Sequence, residues 1–225
     1  MKLPLPRALR AWCAACLCLL AAGLAPAGAE AADFTRSIFR SSESRNDSIR
    51  PFVKWVTMLE RKLEQQPLLD SRDCGFGPYE SCGPYYWRQF LQEHHGKLPI
   101  DQIDAVNTYV NKFTYVLDQV NWNVGDFWET PLEFLEKHGD CEDFAITKYV
   151  TLKALGFNAA EMRIVAVQDL SLDGAAHAVL LLRFDGRDLV LDNQVSAVTT
   201  AEKILHYRAI FSINEQHWWK HVYIN

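Results

Sequence analysis

Apolar residues recur with a helical period through the first half of this chain, and in short runs broken by turns through the second half. Ile49, Phe52, Val53, Trp55, Val56, Leu59 and Leu63 share one side of a helix predicted over residues 47–66. Two further helices follow, over 84–95 and 101–117, the second turning Ile103, Val106, Tyr109, Val110, Phe113 and Val116 toward a core. Thr130-Pro131 reads as an N-cap with proline at the first helical position, opening a short helix that runs through Lys137 and stops at Gly139. The next helix starts at Asp140 or Cys141, repeats Phe144, Ala145, Tyr149, Leu152 and Leu155 at helical spacing, and closes at Gly156.

Beyond Gly156 the pattern changes to strands. Residues 162–167 form one, and His177 opens an apolar run to Phe184 that reads as a buried second strand. Asp185-Gly186-Arg187 is a hairpin turn, and the chain returns through residues 188–193. Residues 210–213 and 218–224 add edges. The fold class expected is α+β: helices first, then an antiparallel sheet. Residues 30–48 are polar and poor in apolar side chains, which predicts a flexible leader or loosely packed arm. Residues 49–225 are then one domain, with a helical part over 49–120 and a core over 121–225.

Residues 1–29 carry Lys2, Arg7 and Arg10 and no acid, then an alanine-rich apolar stretch ending in Ala27-Gly28-Ala29. That is the pattern of a cleaved secretory signal; Gly23 and Pro26 interrupt the stretch and weaken the alternative of a membrane anchor. Its removal takes Cys13, Cys16 and Cys18 away and moves the formal net charge from −5 to −8. Such a charge argues against nucleic acid and anionic membrane surfaces as partners and favours cationic ligands. Cys74 and Cys82 stand eight apart in a glycine-rich loop; in an oxidising compartment they form a disulfide or remain idle thiols, and they lack the four-ligand pattern of a zinc site.

Cys141 then remains as the candidate for chemistry. At a helix start the partial positive charge of the first turn favours a thiolate, whereas Asp140, Glu142 and Asp143 oppose it. Antiparallel pairing across the hairpin brings Asp192 beside His177. Cys141, His177 and Asp192 thus make a nucleophile, its base and the group that orients the base. His138 also competes for the base role, but it ends the preceding helix and reads as its cap.

Four separated motifs, in order, resemble the bacterial transglutaminase-like cysteine proteinases, which include LapG-type periplasmic adhesin proteases. They are Asp126-Phe127-Trp128 through Glu133, Gly139-Asp140-Cys141-Glu142-Asp143-Phe144-Ala145, His177-Ala178-Val179-Leu180, and Leu191-Asp192-Asn193. The resemblance implies a papain- or transglutaminase-like core with the nucleophile at a helix N-terminus, and a periplasmic endopeptidase that cuts the N-terminal region of a large surface adhesin and so controls biofilm release. It also implies sequestration by an inner-membrane cyclic-di-GMP receptor of the LapD type. Calcium is implied too, carried by Asp140 and Glu142, with Asp126 and Asn123 as further oxygen donors. The charge conflict at Cys141 points the same way, since hard oxygen ligands select calcium or magnesium over zinc. The backbone N–H of Cys141 is the natural oxyanion donor, with Trp128 or Asn121 as side-chain candidates. Two alternatives stay open: a transglutaminase or amidase on the same triad, and a binding module that has lost catalysis.

Overall fold

The computed structural model describes residues 38–71 and 82–223, all within one compact unit. The segment read as a signal, Cys74 and the last two residues lie outside them. Among the described residues the helices are α1 (Val53–Ser71), α2 (Gly83–His94), α3 (Pro99–Val110), α4 (Asp118–Asn121), α5 (Pro131–Lys137) and α6 (Cys141–Ala154). The strands are β1 (Ser42–Asn46), β2 (Met162–Asp169), β3 (Ala175–Phe184), β4 (Arg187–Leu191), β5 (Thr199–Thr200), β6 (Tyr207–Ile213) and β7 (Trp218–Val222). All seven strands form one antiparallel sheet in the order β1-β7-β6-β2-β3-β4-β5. The expected α+β class is what the chain adopts.

Alternation explains why β3 reads as a continuous apolar run although the sheet is antiparallel. Ile164, Leu180, Leu182 and Leu191 pack under the helices with Phe144, Tyr149 and Leu152 of α6. Their neighbours Val165, Val179, Leu181 and Val190 face the other way, into a second cluster with Ile38, Phe39, Ala201, Ile204 and Tyr207. Both faces of the sheet are therefore covered, and every position from Val179 to Leu182 is apolar for one side or the other. A smaller cluster of Leu69, Trp87, Leu132 and Leu135 joins α1, α2 and α5.

Within the segment read as a flexible leader or loosely packed arm over 30–48, the described residues 38–48 are packed onto the sheet. Ile38 and Phe39 are buried against the second face, and β1 pairs with β7 as an edge strand. Its polar sequence Ser-Glu-Ser-Arg-Asn suits an edge, and Glu43 turns inward to pair with the buried Arg163 guanidinium at 2.7 Å. Arg163 also lies over the Trp219 ring at 3.5 Å. Composition could not show this, because the stabilising partners lie more than a hundred residues downstream.

Boundaries shift elsewhere. α1 starts at Val53, after a turn in which the Phe52 N–H reaches Ile49 O at 2.9 Å. α3 ends at Val110 instead of 117, because Asn111 caps it and gives its side-chain amide to the Asp192 carbonyl at 2.7 Å. Asn107 reaches Ser196 O in the same way at 2.9 Å, so α3 braces the loop that carries Asp192.

Glu43→Gln leaves Arg163 buried without its carboxylate, and the expected cost is about 3–5 kcal/mol. Urea denaturation of the two proteins measures it; an unchanged midpoint would return this segment to a loose arm.

Candidate active site

The turn that presents Cys141 runs through His138, Gly139 and Asp140 and is closed by the Asp143 side chain. His138 ends α5 with a left-handed backbone (φ 66°), Gly139 follows, and Asp140 is the extended N-cap of α6. Asp143, one turn into the helix, folds back to accept the Asp140 N–H at 3.0 Å and the Glu129 N–H at 2.7 Å. A side chain at Gly139 would put its Cβ 2.4 Å from Asp143 Oδ2, so only glycine admits this closure. Residues 115 and 139 form a bridge, with the Val116 N–H on Gly139 O at 2.9 Å. Cys141 is thereby fixed at the first helical position, as the sequence indicates.

On the sheet side, β3 and β4 stay in register as far as Leu180 opposite Leu191, after which the strands part. Asp192 leaves β4 at that point, and its Oδ1 meets His177 Nε2 at 2.9 Å and accepts the Gln194 N–H at 2.9 Å. Its other oxygen accepts the Tyr207 hydroxyl at 2.5 Å. Burial works against the carboxylate, but the hydrogen bonds from His177 and Tyr207 together outweigh it and hold its pKa below the ordinary value. His177 Nδ1 is left facing the Gln194 side-chain amide at 3.4 Å. α6 packs on β3, and the Ala178 N–H, one residue along that strand, acts to lower the Cys141 pKa.

The thiol environment is unfavourable as it stands. Burial first, then the charge of Glu142 and its hydrogen bond, push the Cys141 pKa far up. The thiol donates to Glu142 Oε2 at 3.1 Å. Glu142 is itself raised to about 8, by burial and by the adjoining Asp140 carboxyl, and Asp118 is raised to about 6, chiefly by burial.

These acids meet in overlapping groups. Asp140, Cys141 and Glu142 offer ligand atoms within 4.8 Å of one another, as do Asp118, Asp126 and Glu142. Asp118 Oδ1 and Asp140 Oδ1 are buried without a hydrogen-bond partner, and the other members hold like charges together. An oxygen-only set with orphaned lone pairs fits a hard cation such as calcium, and Asp140 as a non-helical cap can share it with Glu142. Asp126 is half-exposed and pairs with Lys54. Asn123 turns its carbonyl to the Gln119 amide at 2.9 Å. Asp118 is the member that sequence reading missed: it sits 22 residues before Asp140 and only the loop through residues 122–128 returns it to the site.

Of the two expected side-chain donors, Asn121 is engaged otherwise. Asn121 gives its amide to His138 O at 2.8 Å, bracing the turn. Trp128 packs edge-on against Trp55 with ring centres 6.1 Å apart, and Trp122 donates to Glu129 Oε1 at 2.5 Å. The disulfide expectation meets a partial answer: Cys82 is disulfide-bonded, and Cys74 lies outside the described residues.

A helix-tip thiol against a sheet carrying a histidine–carboxylate pair is the arrangement of a transglutaminase-like cysteine peptidase. Residues 81–224 match the bacterial transglutaminase-like cysteine proteinases, and the chain belongs to that family. Among solved structures, LapG of Legionella pneumophila is 30% identical over 71% of this chain and 87% of its own, with a TM-score of 0.59. The same protein has been solved calcium-bound, with the same figures, and after EGTA treatment, where the match covers 84% of its length. No curated protein matches the chain.

Lys148, a further residue that sequence reading passed over, is wholly buried on α6 with Nζ unpartnered, and burial lowers its pKa to about 7 despite the nearby Asp192 charge. A folded pKa below the unfolded value means that the unfolded chain binds the extra proton. The resulting penalty is full below about pH 7 and fades as pH rises toward the ordinary lysine value. Lys148→Met should therefore melt several degrees above the parent at pH 6, with the gap closing by pH 10; a pH-independent gap in thermal melts would contradict the buried charge.

Proposed function

We propose that this protein is a calcium-dependent cysteine endopeptidase of the periplasm, with Cys141 as nucleophile, His177 as base and Asp192 as the group that orients it. The observation that carries the reading is the 2.9 Å His177–Asp192 pair, with His177 on the strand against which the Cys141 helix packs. Asp192 on Nε2 fixes the tautomer and leaves Nδ1 as the nitrogen that takes the thiol proton. Sulfur then attacks the peptide carbonyl, and the Cys141 backbone N–H at the helix start donates to the oxyanion. His177 returns its proton to the leaving amine, and water, deprotonated by the same imidazole, resolves the thioester.

Asp118, Asp140 and Glu142, with Asp126 at the rim, would hold the calcium. When bound, it supplies positive charge that offsets the carboxylates facing the sulfur. The calcium-bound and EGTA-treated forms of L. pneumophila LapG support this assignment. The motif resemblance to LapG-type proteases supports a large surface adhesin as substrate, cleaved in its N-terminal region to release biofilm. It likewise supports an inner-membrane cyclic-di-GMP receptor of the LapD type as the regulator. A periplasmic location is supported by the signal pattern over 1–29, and no helix among the described residues is long and apolar enough to cross a membrane.

The test is incubation of the purified protein with a candidate adhesin N-terminal fragment, followed by mass spectrometry of the products. Two fragments with a free new N-terminus are expected, and Cys141→Ala should lower the rate at least about 1000-fold while melting like the parent. Cleavage that survives in Cys141→Ala refutes the mechanism, and amine incorporation at glutamine with an intact backbone would make the protein a transglutaminase.

Calcium in 100-fold excess over its Kd should stabilise the fold by about 2.7 kcal/mol, and Asp118→Asn should weaken that shift together with cleavage. Thermal melts over a calcium titration measure this; identical melts in calcium and chelator would leave the acids as a capped helix start.

A further inference from the structure

We propose that Tyr207 is a positioning residue of this site: its hydroxyl holds the second oxygen of Asp192, fixing the carboxylate plane so that the first oxygen stays on His177 Nε2. The inference rests on the triad reading above and extends it to a fourth residue. With Oδ1 shared by His177 and the Gln194 N–H, the carboxylate would otherwise be held on one side only and free to turn about its Cβ–Cγ bond. Tyr207 removes that freedom from the opposite side, through a 2.5 Å charge-assisted hydrogen bond.

The residue is built to stay there. Tyr207 opens β6, which pairs with β2, so it reaches Asp192 at the end of β4 across two intervening strands, β2 and β3. It is 1% exposed, its ring meets Phe39 edge-on at 5.7 Å and His206 at 4.5 Å, and its centre lies 5.7 Å from the His177 ring. The surrounding cluster is apolar, so packing alone would be served by phenylalanine. The added oxygen therefore has one acceptor, the orienting carboxylate. The titratable groups around the pair are His177 on β3, Lys148 on α6, Asp169 on β2 and Cys141 at the helix tip. Burial and the Asp192 charge both keep the phenol protonated, so it remains a donor at working pH.

The experiment compares the parent with Tyr207→Phe, which keeps the ring and deletes only the hydroxyl. The His177 Nε2–H signal is read by proton and nitrogen NMR of histidine-labelled protein, assigned by its loss in His177→Gln. In the parent this proton should be downfield and slow to exchange. In Tyr207→Phe it should move upfield and broaden while the melting temperature stays within a few degrees. On a peptide that the parent cleaves, kcat should fall about 10–100-fold with KM little changed. An unmoved His177 signal, or one altered only alongside a large drop in melting temperature, overturns the proposal and makes the hydroxyl structural. The NMR reading needs no turnover, so it stands apart from the question of whether the protein is a peptidase.

Discussion

The buried carboxylate of Asp143 is the constraint on which the rest of the site depends. It binds two backbone N–H groups, of Asp140 and of Glu129, that would otherwise be unpaired inside the fold. One bond closes the first turn of α6, and the other ties that turn to the chain entering α5. The α5 entry is itself closed by a reciprocal pair between Thr130 and Glu133, with the Thr130 N–H on Glu133 Oε2 at 2.8 Å. Two capped helices joined through one carboxylate leave Cys141 little freedom, as its proposed role of nucleophile requires. The glycine before Asp140 follows from the same closure.

That rigidity has an electrostatic cost. Gathering Asp118, Asp140 and Glu142 at the helix start puts like charges in a poorly solvated turn, and each carboxyl is raised in pKa as a result. The thiol is caught in the same field and donates to Glu142. A hard cation held by these acids would relieve both strains at once. Asp192 shows the opposite solution, since its charge is met by three donors and needs no metal.

The two arrangements are held by different parts of the molecule. The helix tip rests on local caps, whereas Asp192 is held by α3, β3 and β6 together, through Asn111, His177 and Tyr207. The sheet can bring these together because both its faces are dry: the helices cover one, and the segment around Phe39 with the turn at Ala201–Lys203 covers the other. An exposed second face would admit water to the Tyr207–Asp192 bond and weaken it.

The local pattern of the sequence determined whatever depends on neighbours along the chain. The α5 cap at Thr130-Pro131, the start of α6 at Asp140-Cys141, and the turn at Asp185-Gly186 are all short-range, and each stands where the residues put it. The hairpin brings His177 and Asp192 to the same end of β3 and β4, while the contact itself forms just past the last paired residues. Tertiary structure decided the rest. Residues 38–46 join the sheet because Arg163 and β7 wait for them far down the chain. Asp118 enters the acid cluster only when the following loop folds back, and Tyr207 meets Asp192 only because the strand order is β6-β2-β3-β4. Pairings at such separation leave no periodic trace in the sequence, since the contact is set by packing rather than by spacing.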